Sequence, residues 1–512
     1  MRYRNPVIAG FNPDPSICRA GDDFYLVTST FEYFPGVPIY HSKNLVNWEL
    51  IGHCLDDKEL LDLTDCNASS GIYAPTIRYH DGTFFMVTTN KSQGGNFVIH
   101  TDDINGKWSR PAWIDPNGID PSLFWDDDGK CYYCSTYRVD GKRATVCYQI
   151  DPFTGERLSD MHDLGTGCGG RCPEAPHIYK VGGMYYLTFA EGGTGTSHRV
   201  TIHRADSVFG PYMVYDKNPI LTHMDRKGDE INATGHADLI EDQNGNWWMV
   251  FLGVRNYSGK LHSNLGRETF LSPVKWTDDG WPVVGHGGYI TYEMEGELPA
   301  PAWPTNNSFE LDMRKLPFDN RLFYLRNPIP ENYSLDTDAG LLTLNGAESI
   351  CTPLSRPTLL AIRQPGFYND VSALIKTAAC SAKRCGIGAY RAHNYHYEAY
   401  VASRDDGSRY VGFAKHVHDI FVELACVPVV SDEDVTLYIS TDRAKYSFAF
   451  SIGEGEKQPL GSGLNIGLAG EAALNSGFTG AVFIVFSETG KGVFSSYKLE
   501  AHEDIGIQAY EG

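Results

Sequence analysis

Asn12-Pro13-Asp14-Pro15-Ser16-Ile17 and, shortly after it, Phe24-Tyr25-Leu26 are a pair of phrases that this chain repeats. The apolar-aromatic phrase returns as Phe84-Phe85-Met86, Cys131-Tyr132-Tyr133, Met184-Tyr185-Tyr186 and Trp247-Trp248-Met249. Upstream of each lies a counterpart of the first phrase: Tyr73-Ala74-Pro75-Thr76-Ile77, Ile119-Asp120-Pro121-Ser122-Leu123, Pro173-Glu174-Ala175-Pro176-His177-Ile178 and Gly235-His236-Ala237-Asp238-Leu239. The aromatic cores begin at 24, 84, 131, 184 and 247, at intervals of 60, 47, 53 and 63 residues. Self-similarity at this period, with room for several short strands in each unit, is the signature of a propeller blade. Hairpin pairs Asp81-Gly82, Asp128-Gly129, Gly182-Gly183 and Asn244-Gly245 stand immediately before the aromatic strands, where tight turns belong. The fold class predicted is all-β, beginning with a five-bladed propeller.

The pattern stops after Trp276-Thr277-Asp278-Asp279-Gly280-Trp281. The predicted propeller covers residues 1–298, and the Pro-rich stretch 299–307 reads as a linker. Residues 308–512 then alternate apolar and polar side chains between Gly, Asp and Asn turns, as a β-sandwich does. The 512 residues carry a net charge of −21, which argues against nucleic acid as a partner. No apolar run is long enough for a membrane span, and Met1-Arg2-Tyr3-Arg4 enters the first repeat without a leader-like segment, so the expectation is a cytoplasmic protein with its twelve cysteines reduced. Cys131 and Cys134 would point to opposite faces of one strand and read as buried apolar residues. Cys168 and Cys172 read as loop thiols.

In a propeller the first strand of each blade lines the axis, so equivalent phases converge at one mouth. That would gather Asp14, Tyr73, Asp120, Glu174 and His236. Clustered carboxylates destabilise one another's ionised form, and proteins keep them for metal binding or acid–base work. Two aspartates, a glutamate and a histidine could hold a cation. Glycoside hydrolysis equally needs two carboxyls, one to donate a proton and one to activate water.

Together, Asn12-Pro13-Asp14-Pro15-Ser16, the run Ser29 to Ile39, Arg171-Cys172-Pro173-Glu174-Ala175-Pro176-His177 and Leu265-Gly266-Arg267-Glu268-Thr269 resemble glycoside hydrolase family 43, in its β-xylosidase and α-L-arabinofuranosidase branch. The resemblance spans nearly the whole chain and includes a concanavalin-like C-terminal sandwich. It implies an exo-acting, inverting enzyme that releases terminal xylose from β-1,4-xylo-oligosaccharides. α-L-Arabinofuranosidase activity, alone or alongside, is the alternative. A catalytically lost sugar-binding protein and a fructan-cleaving enzyme of related architecture are the other readings weighed.

By the same resemblance Asp14 is the general base, Glu174 the general acid and Asp120 the third acid that tunes it. An inverting pair stands about 6.5–9.5 Å apart. Arg267 contacts sugar hydroxyls, Phe31 and Tyr73 line the sugar subsite, and His236 sits beneath the pocket, near which some relatives hold calcium through water. No cofactor is expected to be required. Tyr73 stands where relatives commonly have tryptophan, and Ala175 where glycine is frequent. An aromatic from the sandwich is expected to close the pocket, with Phe494 as the candidate. The relatives' frequent dimers and tetramers imply a homo-oligomer acting on small oligosaccharides.

Overall fold

Each repeat builds one four-stranded antiparallel blade, and its residues run in chain order from the axis outwards. The computed structural model describes residues 1–115, 118–139, 141–226, 228–256, 263–430, 432–473 and 477–502. Blade one comprises Ser16–Ala20, Asp23–Val27, Gly36–Ser42 and Glu49–Leu55. Blade two comprises Ile72–His80, Thr83–Asn90, Gly95–Thr101 and Ala112–Trp113. Ile119–Trp125, Cys131–Val139, Lys142–Gln149 and His162–Asp163 form blade three. In blade four Glu174–Val181, Met184–Glu191, Arg199–Ala205 and Met213–Val214 are joined by Leu221–Thr222. Ile231–Glu241, Trp247–Arg255, Glu268–Trp276 and Pro282–Val284 complete blade five.

The aromatic phrase is the second strand of every blade, and its period-two alternation feeds both neighbouring interfaces. In blade three Cys131 and Tyr133 pack with Phe85 and Val98 of blade two, while Tyr132 and Cys134 pack with Leu187 and Phe189 of blade four. The two cysteines therefore belong to different apolar layers, and all twelve cysteines are free thiols. The N-terminal segment crosses blade five: Val7 N–H donates to Thr269 O at 3.0 Å, Thr269 N–H to Ile8 O at 3.1 Å, and Arg2–Arg4 pairs with Glu293–Glu295.

Beyond the propeller, Asn44 and Asn47 donate side-chain hydrogen bonds to the carbonyls of Pro301 and Trp303, fastening that stretch to blade one. The C-terminal domain is a concanavalin-like sandwich. One sheet runs Tyr333–Asp336, Leu341–Gly346, Gly490–Ala501, Asn369–Ile375, Val435–Thr441, Lys445–Ile452, Gln458–Leu464, with Phe309–Glu310 also on Gly490–Ala501. The other runs Thr358–Arg363, Val482–Glu488, Arg384–Ala392, Tyr395–Ser403, Arg409–Val417, Ile420–Val429. Odd positions of Tyr395–Ser403, such as Tyr395, Tyr397 and Ala399, fill the core between the sheets. The opposite face contributes Tyr390, Tyr400, Ile484 and Phe486 to a cluster with Phe11, Phe31 and Tyr33 of the propeller. Tyr324–Leu325 pairs with Tyr33–Phe34 across this seam. No helix among the described residues is long and apolar enough to cross a membrane.

Candidate active site

The axial strands carry a bulge at the same place in several blades. Ladder register shifts between Tyr73 and Thr76, between Ile119 and Ser122, between Glu174 and His177, and on either side of Gly235. A bulge leaves one residue unpaired and turns it out of the strand. Asp120, Ala175 and His236 hold that position, with φ of 52°, 51° and 49°, and Asp14, two residues before the strand Ser16–Ala20, has the same left-handed backbone at 56°. Left-handed backbone is tolerated by aspartate better than by most residues, and it is strained at Ala175. Glu174 stands one residue earlier, at the paired position shared with Tyr73 and Ile119. The one-residue offset read in the sequence is thus a change from the bulge position to the ladder position.

These residues converge on a cavity of about 150 Å³ lined by Asp14, Phe31, Tyr73, Ile119, Asp120, Cys172, Glu174, His198, His236, Arg267 and Phe478. Asp14 accepts from Ser29 Oγ at 2.6 Å and from Arg267 Nη1 at 2.8 Å, and His236 Nδ1 lies 3.6 Å from it. Burial pushes the Asp14 carboxyl up, but Arg267, His236 and the Ser29 hydrogen bond outweigh it and hold it below the usual aspartate range. Asp120 is the opposite case. Burial first, then the charges of Glu174 and Asp14, push its carboxyl well above that range, with only partial relief from Arg267 and Arg143. Two buried acids on one axis are therefore driven in opposite directions, Asp14 towards the ionised form and Asp120 towards the protonated form, as acid–base chemistry requires. Glu174 forms an ion pair with Arg143.

Beneath this layer the axis is filled by a second network. Arg78 reaches from blade two to Asp238 of blade five (Nη1 to Oδ2 at 2.7 Å, Nη2 to Oδ1 at 3.1 Å) and donates to His177 Nδ1 of blade four at 2.8 Å. Ser16 and Tyr179 complete the Asp238 shell, each at 2.7 Å. Burial lowers His177 to about 3, so its ring is a neutral acceptor. His198 is lowered likewise, to about 3, first by burial. Its ring lies against Gly235, where a Cβ would come within 2.3 Å of it, so only glycine fits.

Phe494 does not reach the pocket. It is a fully buried residue of Gly490–Ala501, paired with Leu342 and Ile375 and packed between the two sheets of the sandwich. The closing aromatic is Phe478, on the loop before Val482–Glu488. Its ring meets Phe31 at 5.7 Å and Tyr73 at 5.9 Å, its N–H donates to Ser69 Oγ at 3.1 Å, and its carbonyl accepts from Arg267 Nη2 at 3.2 Å. The Arg267 guanidinium lies 5.6 Å from both the Phe31 and Phe478 rings, and its Nε is buried without a hydrogen-bond partner.

Arg143, His198 and Phe478 were not anticipated from the sequence. The first two had a signal: Arg267, His198 and Arg143 each stand within one residue of the start of a third strand (Glu268–Trp276, Arg199–Ala205, Lys142–Gln149). That is a second phase at which blades present side chains to the axis.

The family model for "Glycosyl hydrolases family 43" matches residues 3–282, the whole set of blades that builds this pocket. The chain belongs to glycosyl hydrolase family 43. The model "Beta xylosidase C-terminal Concanavalin A-like domain" matches residues 315–495. Over 500 residues the family 43 chain is 39% identical to a non-reducing end α-L-arabinofuranosidase of Bacteroides ovatus, covering 96% of this chain and 92% of that protein. It is also 39% identical, over 418 residues, to a xylosidase/arabinosidase of Butyrivibrio fibrisolvens, covering 78% of this chain and 80% of that protein. Among solved structures, a xylan β-1,4-xylosidase of Bacillus halodurans superposes with a TM-score of 0.91 at 30% identity, covering 98% of this chain and all of that one. A Bacteroides ovatus family 43 protein described as "Xyloglucan PUL GH43B" gives 0.92 at 37% identity, again over 98% and all of the respective chains. The protein is a glycoside hydrolase, of a family of inverting enzymes.

Proposed function

We propose that this family 43 enzyme is exo-acting and releases terminal β-linked xylose from short xylo-oligosaccharides. The observation that carries the reading is the small cavity in which Asp14, held low, Asp120, pushed high, Glu174 and Arg267 meet under the Phe478 roof. A closed end suits a chain terminus better than the middle of a polymer. In the proposed reaction Asp14 takes a proton from a water whose oxygen attacks the anomeric carbon. Glu174 gives its proton to the departing glycosidic oxygen, the old C–O bond breaks, and the anomeric configuration inverts. Asp120 shares the pocket with Glu174 and feels its charge, and Arg143 holds Glu174 in an ion pair that fixes its position. Arg267 orients Asp14 and offers its remaining N–H to the sugar. Phe31, Tyr73 and Phe478 give apolar faces for the C–H side of the ring.

The second reading, α-L-arabinofuranosidase, is favoured by the Bacteroides ovatus relative, which matches nearly end to end. A panel of 4-nitrophenyl β-D-xylopyranoside and α-L-arabinofuranoside beside xylobiose separates the two. The proposal predicts higher kcat/KM on the xylosides, and dominant arabinofuranoside turnover would replace it with the second reading. In Glu174→Ala the loss should be far greater on xylobiose than on the aryl glycoside, whose leaving group needs less protonation. Equal losses would remove Glu174 from the acid role.

The residues around His236 do not suit calcium, which takes six to eight oxygens. Asp14 is engaged by Arg267 and Ser29, Asp238 by Arg78, Ser16 and Tyr179, and Arg78 already supplies the positive charge on the axis. His236 is read as a support for Asp14, its imidazole lowered first by burial with the Asp14 charge opposing. Homo-oligomerisation is favoured by the outer edge strand Ile420–Val429, whose Ile420, Phe421 and Leu424 are exposed. A monomer in analytical ultracentrifugation would remove it.

A further inference from the structure

Outside the pocket, on the propeller-facing side of the six-stranded sheet, three soft donors converge. His396 and His416 are direct cross-strand partners on Tyr395–Ser403 and Arg409–Val417, and Cys351 reaches them from the loop that follows Leu341–Gly346. One ligand atom from each lies within 4.8 Å of the other two. We propose that Cys351, His396 and His416 form a binding site for a d¹⁰ divalent cation, zinc by class, with water in the fourth position.

The geometry is that of a tetrahedral site. Bonds of about 2.3 Å to sulfur and about 2.05 Å to nitrogen at about 109° place the two donors about 3.6 Å apart. Cys351 Sγ and His396 Nε2 are 3.5 Å apart. The tautomer is also set. His396 Nδ1 lies 3.1 Å from the Ala392 carbonyl, which can only accept, so Nδ1 carries the proton and Nε2 presents its lone pair towards the thiol. A backbone carbonyl behind a ligating imidazole is the usual outer partner of such a ligand. His396 is fully buried, and the buried Nδ1 of His416 forms no well-aligned hydrogen bond.

Cys351 is held in place on both sides. Ser349 Oγ and Ile350 N–H each donate to Glu488 Oε1 at 2.8 Å, and the Ser355 carbonyl accepts from Arg326 Nη1 at 2.6 Å. A donor set fixed by its own supporting bonds is preorganised. Burial pushes the Cys351 thiol up to about 12, with Glu398 adding to and Arg384 opposing the effect. Metal-free protein therefore carries a thiol hydrogen-bonded to imidazole, and metal binding displaces that proton to solvent. Bound zinc would fasten this loop to the sheet beside the domain seam.

The test is a cobalt(II) titration of the intact, chelator-treated protein under anaerobic conditions, followed by zinc. The expected result is one equivalent of tetrahedral cobalt with a thiolate-to-cobalt charge-transfer band, bleached by one equivalent of zinc. Cys351→Ser should abolish the charge-transfer band. His416→Gln, at a half-buried position, should weaken binding at least tenfold with xylosidase activity unchanged. Absence of saturable binding in the wild type, or spectra unaltered in both variants, overturns the site.

Discussion

Ser29→Ala isolates the electrostatic setting of Asp14 without touching the sugar pocket. Ser29 is fully buried, its Oγ donates to Asp14 Oδ2 at 2.6 Å, and its backbone N–H bond to the Pro13 carbonyl survives the substitution. A hydrogen bond to a charged group contributes about 1.5–3 kcal/mol, and one pKa unit corresponds to about 1.36 kcal/mol. Loss of the hydroxyl should therefore raise the Asp14 carboxyl by about one to two units. Arg267 remains at 2.8 Å, so the carboxyl stays ionised at neutral pH. The assay is kcat/KM on an aryl pentoside from about pH 4 to pH 8. The acid limb of the variant should move up by about one to two units, with the neutral plateau within a few-fold of wild type. An unmoved limb, or a plateau reduced a hundredfold with the limb in place, would refute the claim that Asp14 works as the ionised base.

Phe478→Ala removes the half-exposed ring that roofs the pocket against Phe31 and Tyr73 and should raise KM by a few-fold to about tenfold with a smaller change in kcat, as measured by steady-state kinetics. Arg143→Gln removes the ion-pair partner that positions Glu174, so kcat/KM on xylobiose should fall by about tenfold or more; wild-type kcat/KM would contradict a positioning role for Arg143. Glu32 is raised to about 7, chiefly by burial, from an ordinary value of 4.5. The folded chain thus keeps a proton that the unfolded chain has released, and stability falls as pH rises through that window, by about 3 kcal/mol in all. Glu32→Gln, which can still accept from Ser69 N–H, should lose this decline, so the gap in apparent Tm between pH 5 and pH 8 should narrow in the variant.

The blades and the acids were legible because both are short-range facts. Hairpin turns and aromatic strands recur within each unit, and the left-handed backbone that turns out Asp14 and Asp120 lies next to a proline in each case. Even the offset of Glu174 was visible as a one-residue difference of phase. Phe478 was not legible, because its role depends on docking two domains: it bonds Ser69 across 409 residues of sequence. Phe494 resembles it locally, an aromatic in a Gly-rich stretch. Strand alternation in Gly490–Ala501 turns it into the sandwich core instead. His198 and Arg143 belong to third strands, whose phase is obscured by loops of differing length between blades.

The central claim is a single displacement by water activated at Asp14. Proton NMR of xylobiose hydrolysis at early times tests it most directly, since the anomers differ in their H-1 coupling and mutarotate slowly relative to fast enzymatic release. The account predicts α-xylose as the first-formed product from the β-linkage. β-Xylose formed first would contradict it.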